Sequence, residues 1–541
     1  MKLVISSFMI AALAAASSSS NVAVVQAFVP PSAGIGIGCA AGAPSSRVNV
    51  VVAVSSLPTT TSAQQQQQQQ QLHNPLKPLS MMISSTSYGT GDLIDVSEYS
   101  PRGDVYAMES WSTQYGVQKL DSIQLYTDDG SDYQLITTQS IPASSTVIYV
   151  PSNIVLSSNN VVNEFGGSLQ QAENVLVQMD SGTQARLPLF RLMIKILAEY
   201  DAGSNSAYYP WLSALPKQFF NGVSMTEECF MCLPPYAGWL ASNERKNYEF
   251  FAEALRKGYV PLSQETLYNE EVVRWAYNVA LTRFVEVWEP SRQKLIAPMA
   301  DMWWSVVGGD LRLEERERSP GKEGGSGRLG QLLPPVACAS ATARRELNHS
   351  AEPNCEITFD NQGNCAVQSL YDIPPNTPLT ISLGDPTNPT PIFAQYGFLP
   401  NDCATIFCKA IHLDRQIKDL GYDYKDLLIQ TQTGEIAPKV WDIFLYEMLQ
   451  NNDPNSADAF YVACKTNDES TKQQYHDHYF QYTLDAIKNH VYSILGDVDQ
   501  LSMQAQSYDL ETHPRVPVIV AHNNLVRDTF TMTASLLEQM G

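Results

Sequence analysis

The hydrophobic period of this chain changes three times along its length, and that alternation limits the folds open to it. From about Tyr106 to Ser157 the pattern is short and β-rich, with Ile123 to Thr127, Tyr133 to Thr138 and Val147 to Val150 separated by Asp-Gly and Pro-containing turns. Between about Leu187 and Phe284 the period becomes helical, as in Leu189, Leu192, Met193, Ile196, Leu197 and Tyr200. Strand spacing returns from Leu295 to Phe398, in Ile357 to Phe359, Ala366 to Leu370 and Leu379 to Leu383, and beyond about Ala410 the chain reads as helix to its end. There Phe480, Leu484, Ile487, Val491 and Ile494 step by four, three, four and three, which predicts one apolar stripe on one helix face. The sum is an α+β chain: a β-rich unit split by a helical insertion and followed by an all-α domain.

Residues 1–91 stand apart from this body. They hold three basic residues and no Asp or Glu, whereas all 56 acidic residues and 31 of the 34 Lys and Arg follow, so the body carries 31 − 56 = −25. Such a charge repels a phosphate backbone and excludes non-specific nucleic-acid binding. Lys2 and the apolar run from Leu3 to Ala16 read as a secretory signal, predicted over 1–26, and too short to span a membrane. The Ser-, Ala- and Gly-rich stretch 27–91, with glutamines from Gln64 to Gln71, reads as a transit-like linker. No later stretch has 18 consecutive apolar residues, so no membrane association of the mature chain is expected.

Metal chemistry has little support. Nine cysteines are spread thinly, with only Cys229 and Cys232 at CxxC spacing, so neither a disulfide framework nor a four-thiolate zinc site is indicated and the pair is expected to be buried thiols. His476, His478 and His490 do not share ligand spacing on a helix and are expected on a solvated face. One segment, 303–346, has Gly pairs, a charge run and no sustained period, and is expected to be an excursion from the fold, either a real loop or a translated intron.

Three stretches flank that excursion and bear chemistry: Ala297-Pro-Met-Ala-Asp301-Met302, Leu347-Asn348-His349-Ser350, and Gly384-Asp385 with Gln395-Tyr396-Gly397-Phe398. With Trp275, Thr282-Arg283 and the Ser206 to Pro216 signature ahead of them, their order resembles that of SET-domain protein methyltransferases, more narrowly the branch that includes the Rubisco large-subunit lysine methyltransferase. The resemblance implies a SET domain with its pseudoknot over 105–400, a helical insertion over about 165–290 and a helical substrate-binding domain over 410–541. It implies S-adenosylmethionine as cofactor, no metal, Arg283, Asn348, His349 and Leu135 as cofactor-binding residues, and Tyr396 as the catalytic residue. An arginine suits the methionine carboxylate through charge-assisted hydrogen bonds. Methyl transfer is an in-line displacement, so the enzyme has mainly to align a neutral amine with the sulfonium methyl.

Two positions depart from the family pattern. The Gly-x-Gly cofactor turn corresponds to Asp129-Gly130-Ser131-Asp132-Tyr133-Gln134-Leu135, where only Gly130 remains, and the tyrosine usual before Gly-Asp is Leu383. The expected activity is protein-lysine N-methylation of a plastid protein by a monomer. A catalytically silent SET-fold binding module and a protein-histidine N-methyltransferase are the alternatives. The leader, with Ala27-Phe28-Val29-Pro30 at its junction, resembles the bipartite signal and transit peptide of algae with complex plastids. The stroma is the expected compartment and secretion the alternative.

Overall fold

The computed structural model describes residues 91–127, 133–288, 292–303, 349–400, 403–407 and 410–541. Helix α1 (Val105–Gln114) leads into β1 (Gln118–Lys119), β2 (Ile123–Tyr126), β3 (Gln134–Thr137), β4 (Thr146–Val150) and β5 (Leu156–Ser157). The helical stretch follows as α2 (Ser158–Met179), α3 (Leu187–Asp201), α4 (Tyr209–Ala214), α5 (Glu227–Phe230), α6 (Pro235–Lys257), α7 (Gln264–Tyr268) and α8 (Glu270–Arg283). Strands β6 (Val285–Val287), β7 (Gln293–Ile296), β8 (Cys355–Phe359) and β9 (Cys365–Ser369) come next, then α9 (Pro389–Tyr396). The chain ends with β10 (Thr405–Phe407), α10 (Asp414–Leu420), β11 (Leu428–Gln430), α11 (Pro438–Asn452), α12 (Pro454–Thr466), α13 (Glu469–Gln506) and α14 (Val516–Met540).

The strands form small antiparallel sheets in the orders β1-β4-β9-β8, β5-β7-β6, β2-β3 and β10-β11. Strand β4, Thr-Val-Ile-Tyr-Val, is β-branched or aromatic throughout and buries Val147, Ile148 and Val150, which suits a strand paired on both edges. The β8–β9 hairpin turns at Gly363, whose φ of +80° needs glycine, while the Asp360 carboxylate accepts from the backbone N–H groups of Gln362 and Asn364.

Segment Leu379–Leu383, which sequence spacing predicts to be a strand, makes only isolated bridges, at Pro378 with Ile136 and at Ile381 with His349 in parallel. Its backbone partners lie on two sides at once. Leu379 N–H donates to Leu135 O at 2.9 Å, whereas Thr380 O and Ile381 O accept from Cys355 and Ser350. A segment that threads between β3 and the run 349–355 cannot extend a ladder with either.

Helix boundaries follow local chemistry. Asn269 caps α8 by accepting from Glu271 N–H and Val272 N–H; Glu270 and Glu271 open the helix and Arg283 closes it, each sign matched to the helix dipole. Proline occupies the first turn of α3, α9, α11, α12 and α14, where its missing N–H costs no helical hydrogen bond. In α13 the predicted stripe holds for Leu484, Ile487 and Val491, all buried, but Phe480 is 40% exposed and stacks on Trp441 at 5.8 Å. The helix departs from regular geometry at Tyr479, φ −106°, and this shifts the phase of residues before the break.

One apolar core fills the β-rich unit and its inserted helices, a second fills the C-terminal helices, and a third, built on Cys229, Cys232, Phe393, Val516 and Ile519, joins the two. Polar contacts reinforce that junction: Arg515 Nε donates to Phe219 O at 3.0 Å and Asn523 Nδ2 to Cys232 O at 3.0 Å. No helix among the described residues is long and apolar enough to cross a membrane. The leader, almost all of the 303–346 excursion, Asn348, Gly130 and Asp132 lie outside the described residues.

Candidate active site

Tyr396 is the last residue of α9, and Gly397, in the left-handed region at φ +84°, ends the helix behind it. A Cβ at Gly397 would collide with the backbone of Phe220 and Asn221, so glycine is required there by conformation and by space. Asn221 fixes the helix end: its Nδ2 donates to Gln395 O at 3.0 Å and to Asn278 Oδ1 at 2.9 Å, and Gly222 N–H donates to Ala394 O at 2.9 Å. Gln395 Nε2 reaches Leu281 O at 3.3 Å. Through these bonds α9 is tied to α8, and the ends carrying Tyr396 and Arg283 are set against one another. Burial, with the charge of Glu244 adding to it, pushes the Tyr396 phenol well above its ordinary range, so the hydroxyl stays neutral.

His349 enters beside this helix end. Its Nδ1 accepts from Leu383 N–H at 3.1 Å, and its ring centroid lies 6.0 Å from that of Phe398, which in turn lies 6.3 Å from that of Tyr396. An Nδ1 that accepts leaves the neutral imidazole proton on Nε2. The parallel bridge of His349 with Ile381, and the bond from Leu379 N–H to Leu135 O, place one threading segment between His349 and Leu135. Leu135 itself is fully buried in the core.

Arg283 is also buried, with its Nη1 donating to Asp301 O at 2.6 Å and standing 3.6 Å from Asp301 Oδ2. Trp211 Nε1 donates to the same Oδ2 at 2.9 Å. Burial pushes the Asp301 carboxyl up and the Arg283 guanidinium down, and the attraction of each for the other opposes this. Asp301 Oδ1 is buried with no hydrogen-bond partner among the described residues. A buried carboxylate oxygen awaiting a donor, next to a guanidinium, matches the α-ammonium and α-carboxylate of an amino-acid moiety. Sequence reasoning quoted Asp301 within its motif without giving it a role and passed over Trp211 inside the Ser206 to Pro216 signature. A carboxylate in an otherwise apolar Ala-Pro-Met-Ala-Asp-Met run was the available signal.

The Gly384-Asp385 turn faces the C-terminal domain. Burial would raise the Asp385 carboxyl, yet hydrogen bonds from Thr387, Tyr424 and Lys425 hold it down at about 2. Tyr424 Oη donates to it at 2.5 Å and Lys425 Nζ stands 3.2 Å away. Two of the histidines expected on a solvated face are placed elsewhere. His476 Nε2 is 2.8 Å from Asp442 Oδ1, and His490 is packed beside His412 and Phe444. Both turn inward because α13 packs against α11 along that side. Cys229 and Cys232 are free and fully buried, and no cluster of three metal-ligating side chains occurs among the described residues.

Residues 132–384 match the family model of the SET domain. Among solved structures, the crystal structure of the SET domain of LSMT bound to lysine and AdoHcy aligns at 12% identity over 80% of this chain and 91% of its own, with a TM-score of 0.51. The same domain bound to MeLysine and AdoHcy aligns at 12% identity over 81% and 92%, with a TM-score of 0.50. At such identity the likeness is one of fold. No curated protein matches the chain in sequence.

Proposed function

From the premise that this chain carries a SET domain, residues 132–384, we propose that it is an S-adenosylmethionine-dependent protein-lysine N-methyltransferase acting on a plastid protein. The observation that carries the reading is the convergence of Tyr396, His349 and the Arg283–Asp301 pair around the ends of α8 and α9 and the threading segment 378–383. The structures of similar fold hold lysine or MeLysine together with AdoHcy, which are the acceptor, product and spent cofactor of such a reaction.

When bound, the cofactor supplies an electrophilic methyl group on a sulfonium. The chain's own residues do the rest. Arg283 and Asp301 hold the amino-acid moiety, the Asn348 and His349 polar groups hold the cofactor, and Leu135 anchors the strand beside it. The neutral Tyr396 hydroxyl orients the lysine amine, and a closed apolar surround favours the uncharged amine that the displacement requires. No step needs a metal, because the sulfonium is already a good leaving group.

Leu383, standing where the family has a tyrosine, and the single glycine of the cofactor turn favour one second reading: a SET-fold module that binds a partner without catalysis. Calorimetric titration of the full chain with S-adenosylmethionine separates the two. Saturable binding supports the enzyme, and no binding supports the silent module. For location, the acid-free leader ahead of an acid-rich body supports plastid import. A fusion of residues 1–91 to a fluorescent protein is expected in the plastid, and fluorescence in the medium would contradict this.

A further inference from the structure

The turn between Leu383 and Asn388 is held at both ends and in its middle. At its start Leu383 N–H donates to His349 Nδ1 at 3.1 Å, and at its end Asn388 caps α9 by accepting from Thr390 N–H. Midway, the Asp385 carboxylate binds the turn to the C-terminal domain. Its Oδ1 accepts from Thr387 N–H at 3.0 Å and from Thr387 Oγ1 at 2.6 Å, while its Oδ2 accepts from Tyr424 Oη at 2.5 Å. Ser382 Oγ donates to Gly384 O at 3.0 Å and braces the peptide that separates Leu383 from Asp385. A displacement at Asp385 therefore reaches the Leu383 N–H within two residues.

Tyr424 is itself firmly placed. It opens a single 3-10 turn, Tyr424–Leu427, in which the Asp423 carboxylate accepts from Lys425 N–H and the Asp426 carboxylate from Asp423 N–H. Leu428 then pairs with Phe407 in the β10–β11 ladder, and the Tyr424 ring lies 6.1 Å from that of Phe407. Of the two C-terminal groups on Asp385, the Lys425 side chain is 54% exposed, so its ion pair at 3.2 Å is screened by water and contributes little. The Asp385 side chain is only 18% exposed, and a hydroxyl donated to an ionised, half-shielded carboxylate makes one of the stronger hydrogen bonds. What the turn delivers is chemical: the N–H of Leu383 keeps the His349 Nδ1 an acceptor and so holds the ring proton on Nε2.

We propose that Tyr424, through Asp385, is a positioning residue of the cofactor site: it fixes the turn whose Leu383 N–H sets the tautomer and tilt of His349. The proposal rests on the reading of His349 as a cofactor-binding residue, and it gives the C-terminal domain a part in holding S-adenosylmethionine. The far end of α9 has its own anchors in Asn221, Gly222 and Gln395, so Tyr396 keeps its place when the turn loosens. The cost of losing Tyr424 falls on cofactor affinity and not on turnover.

Two readouts on the full chain test this: hydrogen exchange at the Leu383 amide without cofactor, resolved by fragmentation mass spectrometry, and calorimetric titration with S-adenosylmethionine. Tyr424→Phe is expected to speed exchange at Leu383 and to weaken cofactor binding, each by about fivefold or more, with kcat at saturating cofactor falling less than about twofold. Tyr492→Phe removes a hydroxyl that donates to Glu538 Oε1 at 3.0 Å between α13 and α14, and is expected to change neither readout. Because Tyr424 acts through Asp385, adding Tyr424→Phe to Asp385→Ala is expected to cost less than about twofold beyond Asp385→Ala alone. Wild-type exchange at Leu383 in Tyr424→Phe would overturn the proposal, as would faster exchange with unchanged affinity, a fall in kcat as large as the loss of affinity, fully additive losses in the double variant, or equal losses in Tyr492→Phe. A wild type that binds no S-adenosylmethionine, with exchange at Leu383 still governed by Tyr424, would fault the cofactor reading and leave the positioning of His349 by Tyr424 standing.

Discussion

Arg283 and Asp301 form a pair from which water is excluded: Nη1 of the one donates to the carbonyl of the other at 2.6 Å, and neither side chain is more than 2% exposed. Breaking such a pair from one side leaves an uncompensated buried charge, a loss of about 3–5 kcal/mol. Asp301→Ala also deprives Trp211 Nε1 of its acceptor. It is expected to lower the urea midpoint by that equivalent, whereas Asp301→Asn, which keeps an acceptor oxygen, is expected to lose less. Unfolding curves of both variants check this, and an Asp301→Ala midpoint equal to the wild type would contradict the pairing.

Gly397→Ala is expected to disturb the candidate site from its far side. A left-handed φ of +84° costs a non-glycine residue about 1 kcal/mol or more, and the new Cβ would meet the Phe220 and Asn221 backbone, so a total loss of about 2–4 kcal/mol is expected. Tyr396 is attached to the residue forced to move. Thermal unfolding measures the first effect and the near-ultraviolet tyrosine signal the second.

Such tight local requirements explain what could be read in the sequence. Strands β2, β3, β4, β8 and β9 were legible because β-branched runs alternate between turn residues, and the inserted helices because their apolar spacing is regular. Segment 379–383 was misread because its partners are remote in sequence and lie on both sides. The same holds at the site. Tyr396 and His349 stood out as parts of short motifs, but the approach of His349 to Phe398 beside Tyr396, and the linking role of Asn221, depend on contacts between residues 49 and 174 positions apart that no local pattern encodes. Phe480 misled for a smaller reason, a break at Tyr479 that periodicity cannot register.

Buried His522 and half-buried His490 are expected to weaken the fold in acid. Burial lowers His522 to about 4, and burial with the neighbouring His412 lowers His490 to about 4, from an ordinary 6.5. The unfolded chain therefore binds protons between pH 6.5 and 4 that the folded chain does not, and stability is lost as pH falls through that window, by up to about 3 kcal/mol for each. Denaturation at pH 7 and pH 4.5 is expected to show the loss, and His522→Gln, which cannot take up a proton, to reduce it. An unchanged pH slope in that variant would contradict the assignment.

Tyr396→Phe separates binding from turnover. In the proposed reaction the hydroxyl would act only at the reacting amine and methyl, so S-adenosylmethionine affinity is expected to stay within about twofold while kcat falls about tenfold or more. Calorimetry and a single-turnover assay read the two quantities. A variant that turns over at the wild-type rate would remove Tyr396 from the chemistry.

The central claim is methyl transfer to lysine, and the most direct measurement is incubation of a plastid protein extract with the full chain and isotopically labelled S-adenosylmethionine, followed by mapping of the labelled residue. Label is expected on the Nε of a lysine in a basic segment of one or a few proteins, and at a rate lower by about tenfold or more with Tyr396→Phe. Label on a histidine ring nitrogen, or no transfer by a chain that binds the cofactor, would contradict it.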